Sequence, residues 1–144
     1  MNEESIGRLV AILYRIGLSH TGKQFEPYGL GRGQFAFLAE LFSQDGISQE
    51  ELASSIRCDK ATVTRAMQQL ESHGYVERRR STEDGRVNLV YLTDKAQNFK
   101  PTLFAILSDW TDILAQGLSS KERRLLNDLL NRLVENAIAS KLGE

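Results

Sequence analysis

The sequence predicts a mainly α-helical fold with a small β wing as its minor, α+β, part. Apolar residues recur at steps of three and four along most of the chain, the period of a helix that buries one face. In the middle of the chain two short extended runs, YVERRR and VNLVYL, flank the turn-forming STEDG, as a β-hairpin requires. Two helical patterns joined by the tight connection Arg57-Cys58 precede this hairpin. These features predict a helical framework from which one hairpin projects.

A glycine-rich loop separates the first two helices. Spaced apolar residues predict a helix over residues ~4 to 25. The segment PYGLGRG (27–33) ends it, because proline and glycine interrupt regular structure. A second helix ends before Gln44-Asp45-Gly46. Its apolar stripe consists of Phe35, Leu38, Ala39 and Phe42.

The residues that begin and end helices mark two further ones. Ser48 and Glu51 have the S-x-x-E spacing of a capping box, in which two side chains satisfy free amides at a helix start. The short third helix that follows has Leu52 and Ile56 on its buried side. Asp59 is a favourable N-cap for the fourth helix, and Gly74 is a natural stop after it. A short helix, a tight turn and a second helix form a helix-turn-helix, and the hairpin behind it makes it a winged one.

The fourth helix has an apolar face and an unusual polar one. Val63, Ala66, Met67 and Leu70 turn inward, so Ala61, Arg65, Gln68 and Ser72 lie opposite, with Thr62, Thr64 and Gln69 on the shoulders. Arginine can form a forked hydrogen bond with guanine and glutamine with adenine, while alanine or threonine methyl groups can contact thymine. The face lacks the Glu–Lys pairs of an ordinary solvated helix. It predicts contacts with base edges.

The hairpin concentrates positive charge. Residues 57–93 carry seven Lys or Arg against five Asp or Glu, although the whole chain has a formal net charge of −1. Alternation along the strand puts Arg78 and Arg80 together on one face. Past the turn Arg86 points outward, and Asp84 can hold its guanidinium by a bidentate hydrogen bond. A narrow basic surface of this kind is a footprint of nucleic-acid binding.

From Thr93 to the end the chain is helical apart from a break at Gly117–Ser120, and Pro101 lies inside the first of these helices. Their stripes contain Phe99, Leu103, Ile106, Leu107, Trp110, Ile113 and Leu114, and then Leu125, Leu126, Leu129, Leu130, Leu133 and Ile138. These two helices carry more apolar residues than one chain needs for a single buried stripe. Apolar surface that is left over marks an interface. The pattern predicts a dimer.

In this order the segments resemble the MarR family of winged-helix transcriptional regulators. The resemblance covers nearly the whole chain, including GLGRGQF and SQEELA, and is most specific over residues 59–93, where DKATVTRAMQQLESHGYVERR, a D-x-R wing and VNLVYLT follow one another. It implies a homodimer with intertwined N- and C-terminal helices, whose recognition helices enter successive major grooves of a pseudo-palindromic operator. It also implies wing arginines in the minor groove and a repressor that a small aromatic ligand can release.

The resemblance assigns residues 1–25 and 94–144 to a helical dimerisation region and residues 30–93 to a winged helix-turn-helix DNA-binding lobe. Contacts with double-stranded DNA are expected from Lys60, Ala61, Thr62, Thr64, Arg65, Gln68, Gln69, Arg78, Arg80, Asp84 and Arg86. Two positions depart from the family pattern. Gly85 replaces a second wing arginine, which removes a phosphate contact, and Gly31 stands at the N-cap of the second helix, where threonine is common.

Catalysis is not expected, and neither is a cofactor or metal. His20 and His73 are far apart in sequence, and the chain has no C-x-x-C, H-E-x-x-H, phosphate loop or nucleophile elbow. The alternative from another class is a winged helix that binds protein. Such an interface favours exposed aromatic residues where this chain has Arg65, Gln68 and Arg86.

Cys58, the only cysteine, suggests a redox-responsive regulator as a further alternative. The nearby helix N-terminus favours its thiolate, whereas the adjacent Asp59 opposes it. A lone cysteine also suits a reducing compartment. No apolar run approaches the ~20 residues that span a bilayer, and the acidic N-terminus is unlike a signal peptide. A cytoplasmic protein without membrane association is expected.

An effector pocket has several candidate lining residues but no assigned ones. Tyr14, His20, Phe25, Tyr28 and Trp110 fit either a pocket between the dimerisation helices and the DNA-binding lobe or an ordinary core. Both interpretations are compatible with the residues alone.

Overall fold

The computed structural model describes residues 5–31 and 33–140. Residues 1–4 and 141–144 of the predicted dimerisation region and Arg32 of the predicted loop lie outside the described residues.

Helices make up most of the described chain. In chain order the elements are α1 (Ile6–Phe25), a 3₁₀ turn (Glu26–Tyr28), α2 (Gln34–Ser43), β1 (Ile47–Ser48), α3 (Gln49–Ile56), α4 (Lys60–Ser72), β2 (Val76–Arg80), β3 (Asn88–Leu92), α5 (Asp94–Leu114) and α6 (Ser120–Ser140). The predicted mainly α-helical fold with a small β wing is confirmed.

The helix limits follow local capping chemistry. The hydroxyl of Ser48 accepts a hydrogen bond from the Glu51 amide at 3.0 Å and starts α3. The Glu51 carboxylate accepts in turn from that hydroxyl at 3.2 Å. Asp59 starts α4 by accepting from the Thr62 amide at 2.8 Å. Gly74, with a φ of 78°, follows the last residue of α4 and its cap His73, where a left-handed conformation ends helices. These predicted limits of α3 and α4 are confirmed.

The sheet has three antiparallel strands in the order β1-β3-β2. The predicted hairpin pairs Arg78 with Val90, so the even-numbered residues of β2 share a face with buried Val90. The short strand β1 pairs Ile47 with Val90 on the other side of β3. Asp45 extends this junction, because its carboxylate accepts from the Leu92 amide at 2.9 Å. Strand β1 thus ties the hairpin to the helical framework.

One hydrophobic core draws on the helices from α1 to α5 and on the sheet. Its fully buried apolar side chains include Phe25, Leu38, Leu41, Leu52, Val63, Met67, Leu70, Val90 and Leu103. The predicted stripe of α2 faces the core but was incomplete: Leu38 is buried and Phe35, Ala39 and Phe42 are half-buried against the core, while Phe37 and Leu41, which were not predicted, are buried as well. The two half-buried rings pack sideways, Phe35 on Phe25 at 5.1 Å and Phe42 near Phe104 at 5.9 Å between ring centroids.

The start of α2 also differs from the prediction. Its N-cap is Gly33 rather than Gly31, and no side chain caps it. Gly33 has a φ of 79°, a conformation that glycine adopts at little cost. The amide of Gly31 instead donates to the Gln34 side chain at 2.9 Å, which keeps Gly31 in the loop.

Several helices leave apolar side chains exposed. The chain divides into two compact units, Met1–Trp110 and Thr111–Glu144. In the first unit α1 exposes Ile6, Leu9, Val10, Leu13, Tyr14 and Ile16. In the second unit α6 buries none of its residues and exposes Leu125, Leu126, Leu129, Leu130, Leu133 and Val134. Within the described residues, no helix is long and apolar enough to cross a membrane.

Candidate nucleic-acid interface

The two faces of α4 lie as its spacing predicts. Val63, Ala66, Met67 and Leu70 are buried in the core. The opposite face exposes Lys60, Ala61, Arg65, Gln68, Gln69 and Ser72, and Thr62 and Thr64 are half-buried at its edges. The exposed face carries no aromatic residue. It presents forked donors and amide groups to solvent.

A hydrogen-bond chain along the first turn of α4 holds Arg65. The Thr62 hydroxyl donates to Asp59 Oδ2 at 2.7 Å and accepts from Arg65 Nη2 at 3.2 Å. The hydrogen bond from the Thr62 side chain, its amide and the charge of Arg65 lower the pKa of Asp59 below the usual value. The ionised Asp59 thus orients Arg65 through Thr62.

Thr64 is already bonded within the protein. Its hydroxyl donates to the Lys60 carbonyl at 2.9 Å and accepts from Gln49 Nε2 at 3.3 Å. Only its methyl group is free of these hydrogen bonds. Sequence reasoning missed Gln49, whose position in the first turn after the Ser48 cap was the available signal.

Ser81 closes the loop of the wing. Its amide donates to the Val87 carbonyl at 2.8 Å. Its hydroxyl accepts from the amides of Glu83 and Asp84, each at 3.2 Å. The Val87 amide donates back to the Asp84 carbonyl at 3.0 Å. These bonds give the wing tip a defined shape.

Asp84 braces Arg86 in the predicted bidentate manner. Arg86 Nε donates to Oδ1 at 3.1 Å and Nη2 donates to Oδ2 at 3.3 Å, while the Arg86 amide also bonds Oδ1 at 3.1 Å. These bonds lower the pKa of Asp84. The Arg86 side chain nevertheless remains 90% exposed. It is an oriented cation at the end of the wing.

The three consecutive arginines have different surroundings. Arg79 forms an ion pair with Glu77 and lies over the Tyr91 ring, 4.5 Å from its centroid. Arg78 forms an ion pair with Glu71 of α4 at 2.8 Å. Arg80 is exposed on the same strand face as Arg78. The predicted alternation of the arginines is confirmed, and their environments differ more than alternation alone implies.

A short helix, a turn, an exposed second helix and a hairpin with an oriented arginine define a winged helix-turn-helix protein. Residues 30–87 match the model of the MarR family. The HTH-type transcriptional regulator YdgJ of Bacillus subtilis is 37% identical over 128 residues, which are 87% of this chain and 78% of YdgJ. The chain belongs to the MarR family; it is a transcriptional regulator and not an enzyme.

Solved structures have the same fold. A MarR transcriptional regulator from Methanosarcina mazei is 40% identical with a TM-score of 0.90, covering 95% of this chain and 99% of its own. A putative MarR family regulator from Listeria monocytogenes, solved with a 26mer DNA, is 25% identical with a TM-score of 0.88, covering 93% of this chain and 89% of its own.

Proposed function

We propose that this chain is a repressor that binds pseudo-palindromic double-stranded DNA sequence-specifically as a homodimer. The observation that carries the proposal is the exposed face of α4, with Arg65 held by Thr62, beside a wing whose Arg86 is held by Asp84. Donors oriented before binding lose less freedom when they meet DNA. The Listeria relative that was solved with DNA supports the same interpretation.

Each exposed group has a proposed role. Arg65 reads guanine, Gln68 and Gln69 read adenine, and the methyl groups of Ala61, Thr62 and Thr64 contact thymine. Lys60 and Arg80 bind phosphate, and Asp84 and Arg86 act at the minor groove. Arg78 differs from them because Glu71 already binds its guanidinium.

The dimerisation region is proposed to comprise residues 1–25 and 94–144, with the DNA-binding lobe at residues 30–93. Exposed leucines of α6 and the exposed apolar residues of α1 support it, since contiguous apolar surface marks an interface. Two-fold related recognition helices must lie about one helical turn, ~34 Å, apart to engage two half-sites of one operator.

Selection from a random duplex library tests the function. About 20 randomised base pairs accommodate two half-sites one helical turn apart. We expect enrichment of a two-fold symmetric sequence and preferential binding to the promoter of its own gene in a gel shift. If no sequence is enriched and this promoter binds no better than unrelated DNA, a protein-binding winged helix describes the chain better.

Replacing Arg86 by alanine is expected to weaken binding most on operators with A·T-rich flanks. Narrow A·T minor grooves concentrate negative potential that attracts arginine. Asp84→Ala should give a milder form of the defect, because the charge stays while its brace is removed. Arg86→Lys should rescue only partly, since lysine lacks the planar fork. Affinities for operators that differ only in flank composition, measured at one salt concentration, provide the test. Equal losses on A·T-rich and G·C-rich flanks would make Arg86 a phosphate clamp.

Gly85→Arg is expected to strengthen DNA binding without disturbing the wing. A Cβ at Gly85 would meet no atom within 4 Å, and Gly85 is not among the glycines with positive φ. One added phosphate contact should steepen the dependence of log affinity on log salt by ~0.9. Gly85→Ala is the matched control and should leave the slope unchanged. Equal slopes for both variants would contradict the prediction.

Release by a small aromatic ligand is part of the proposal. A cleft of about 490 Å³ is lined by Gln24, Pro27, Tyr28, Pro101, Thr102, Ala105, Ile106 and Asp109. Phe25 is fully buried in the core, whereas Tyr28 is 42% exposed at this cleft. A ligand shifts the protein only by its different affinities for the two states. We expect operator binding to weaken when an aromatic acid, or its neutral amide, is titrated into the protein. If the ligand saturates the protein without changing its affinity for the operator, the proposed coupling is refuted.

A redox response at Cys58 stays a hypothesis. The side chain is half-buried and packs against the hydrophobic core. Its amide donates to the Ala53 carbonyl at 3.0 Å, within the tight turn between α3 and α4.

A further inference from the structure

Arg78 lies at the centre of a hydrogen-bond network between three elements. Its guanidinium donates to both carboxylate oxygens of Glu71 in α4, Nη2 to Oε1 at 2.8 Å and Nε to Oε2 at 3.3 Å. Its Nη1 donates to Gln49 Oε1 of α3 at 3.4 Å. Nε2 of the same Gln49 amide donates to the Thr64 hydroxyl of α4 at 3.3 Å. The strand that leads into the wing is thus tied to both helices of the helix-turn-helix.

The charge of Arg78 is neutralised where it lies. Its side chain is 29% exposed and that of Glu71 is 39% exposed. The hydrogen bond from Arg78 lowers the pKa of Glu71, which favours the ionised carboxylate. Both oxygens of Glu71 are engaged, in the parallel fork that gives Arg–carboxylate pairs their geometric specificity. Glu71 and Gln49 thus engage three of the five N–H donors of this guanidinium within the protein.

The wing needs such a connection. A two-stranded hairpin by itself is marginally stable, and β1 supports β3 through two residues only, Ile47 opposite Val90 and Ser48 opposite Leu89. Arg78 lies in the middle of β2, opposite the same Val90 and two residues before the strand ends toward the loop that carries Arg86. A brace at this point limits how far the wing can swing relative to α4.

We propose that Arg78 is a positioning residue, which with Glu71 and Gln49 sets the wing at a fixed place beside α4 so that Arg86 and Arg65 engage one DNA site together. The inference rests on the proposed DNA-binding function. It removes Arg78 from the phosphate contacts and makes Glu71, an acidic residue, a requirement for specific binding.

The salt dependence of binding separates positioning from phosphate contact. The probe is the duplex that wild-type protein selects from the random library, with an unrelated duplex of equal length as reference. Arg80→Ala is the matched control on the same strand face, and it should lower the slope of log affinity against log salt by ~0.9 for each phosphate that Arg80 neutralises. Arg78→Ala should leave the slope unchanged and reduce the preference for the selected duplex roughly tenfold, on the order of one mismatched base pair.

Glu71 provides an independent variant. Glu71→Ala should reduce the preference by about the same factor as Arg78→Ala, and the double variant should lose no more than either single one, since both break one network. Glu71→Gln, which keeps the shape of the side chain, gives the same comparison if the alanine variant unfolds. A lower salt slope for Arg78→Ala, or additive losses in the double variant, would overturn the proposal. Failure of the wild-type protein to prefer any duplex would instead refute the proposed function itself.

Discussion

Glutamate in place of both Leu126 and Leu130 is expected to convert the protein from dimers to monomers and to abolish operator binding at the same time. The two leucines lie on α6 and are 43% and 41% exposed in the single chain. Full burial of an exposed leucine contributes ~1.5–3 kcal/mol, of which dimerisation gains the share of the surface that is still exposed. Two-fold symmetry repeats each substitution in the interface. Unpaired carboxylates there would also lose their hydration. A monomer cannot engage two half-sites simultaneously.

Sedimentation velocity and operator titration on the same samples measure both effects. Asn131→Glu is the control, because it adds a negative charge at an exposed polar position of α6 and should leave both properties unchanged. Truncation before Lys121 should act like the double substitution. Monomers that bind the operator with wild-type affinity, or dimers that persist with both glutamates, would contradict the proposed interface.

Arg65→Ala is expected to cost ~1–3 kcal/mol on the selected operator and much less on unrelated DNA. The exposed guanidinium points away from the buried face of α4 and is held through Thr62 by Asp59. Its forked donors fit the two acceptors of guanine in the major groove. The loss should therefore concentrate at one base pair of each half-site. Affinities for operators substituted at single positions identify that pair.

Lys60→Ala is the comparison for Arg65→Ala. Lys60 is exposed at the start of the same helix, and its proposed partner is phosphate. Its removal should weaken binding to operator and unrelated DNA by similar factors and lower the salt slope. If Arg65→Ala behaves in the same uniform way, Arg65 holds phosphate and the bases are read by other residues.

In this proposal two connected parts of the subunit, α4 and the wing, both contact DNA. The exposed face of α4 supplies base contacts, and the wing supplies a flanking cation. The network through Glu71 and Arg78 connects them within one subunit. Dimerisation through the exposed apolar helices would then connect two such units at the spacing of the operator. The Arg78 and Glu71 variants test the connection within one subunit, and the Leu126 and Leu130 variants test the connection between subunits. The two contributions can therefore be measured separately.

Short-range chemistry explains which features were predictable from the residues alone. The caps Ser48 and Asp59 act on amides three residues away, so they mark helix starts in any tertiary context. The four inward residues of α4 followed from helical spacing. Asp84 braces Arg86 across two residues of a closed turn, which is why the bidentate pair was also predictable.

Contacts between distant segments were not predictable in this way. Strand β1 has only two residues, too few for an alternating pattern, and exists because Ile47 meets Val90. The buried face of α2 depends on which neighbours it packs against. The Phe35 ring packs on Phe25 and the Phe42 ring packs near Phe104. No local pattern contains that information.

The arginines of the wing include one whose environment was predictable from the sequence and one whose partner only the tertiary structure decided. Periodicity, caps and turn residues were enough to predict a winged helix-turn-helix, the exposed polar face of α4 and an outward Arg86, because those features depend on residues within one or two turns of each other. The MarR family followed from the resemblance of these motifs in their order. The partner of Arg78 came only from the packing of β2 against α4, which brings Glu71 to 2.8 Å across two separate elements. Side-chain partners of this kind depend on the angle at which elements dock, and that angle is a property of the assembled core rather than of any segment.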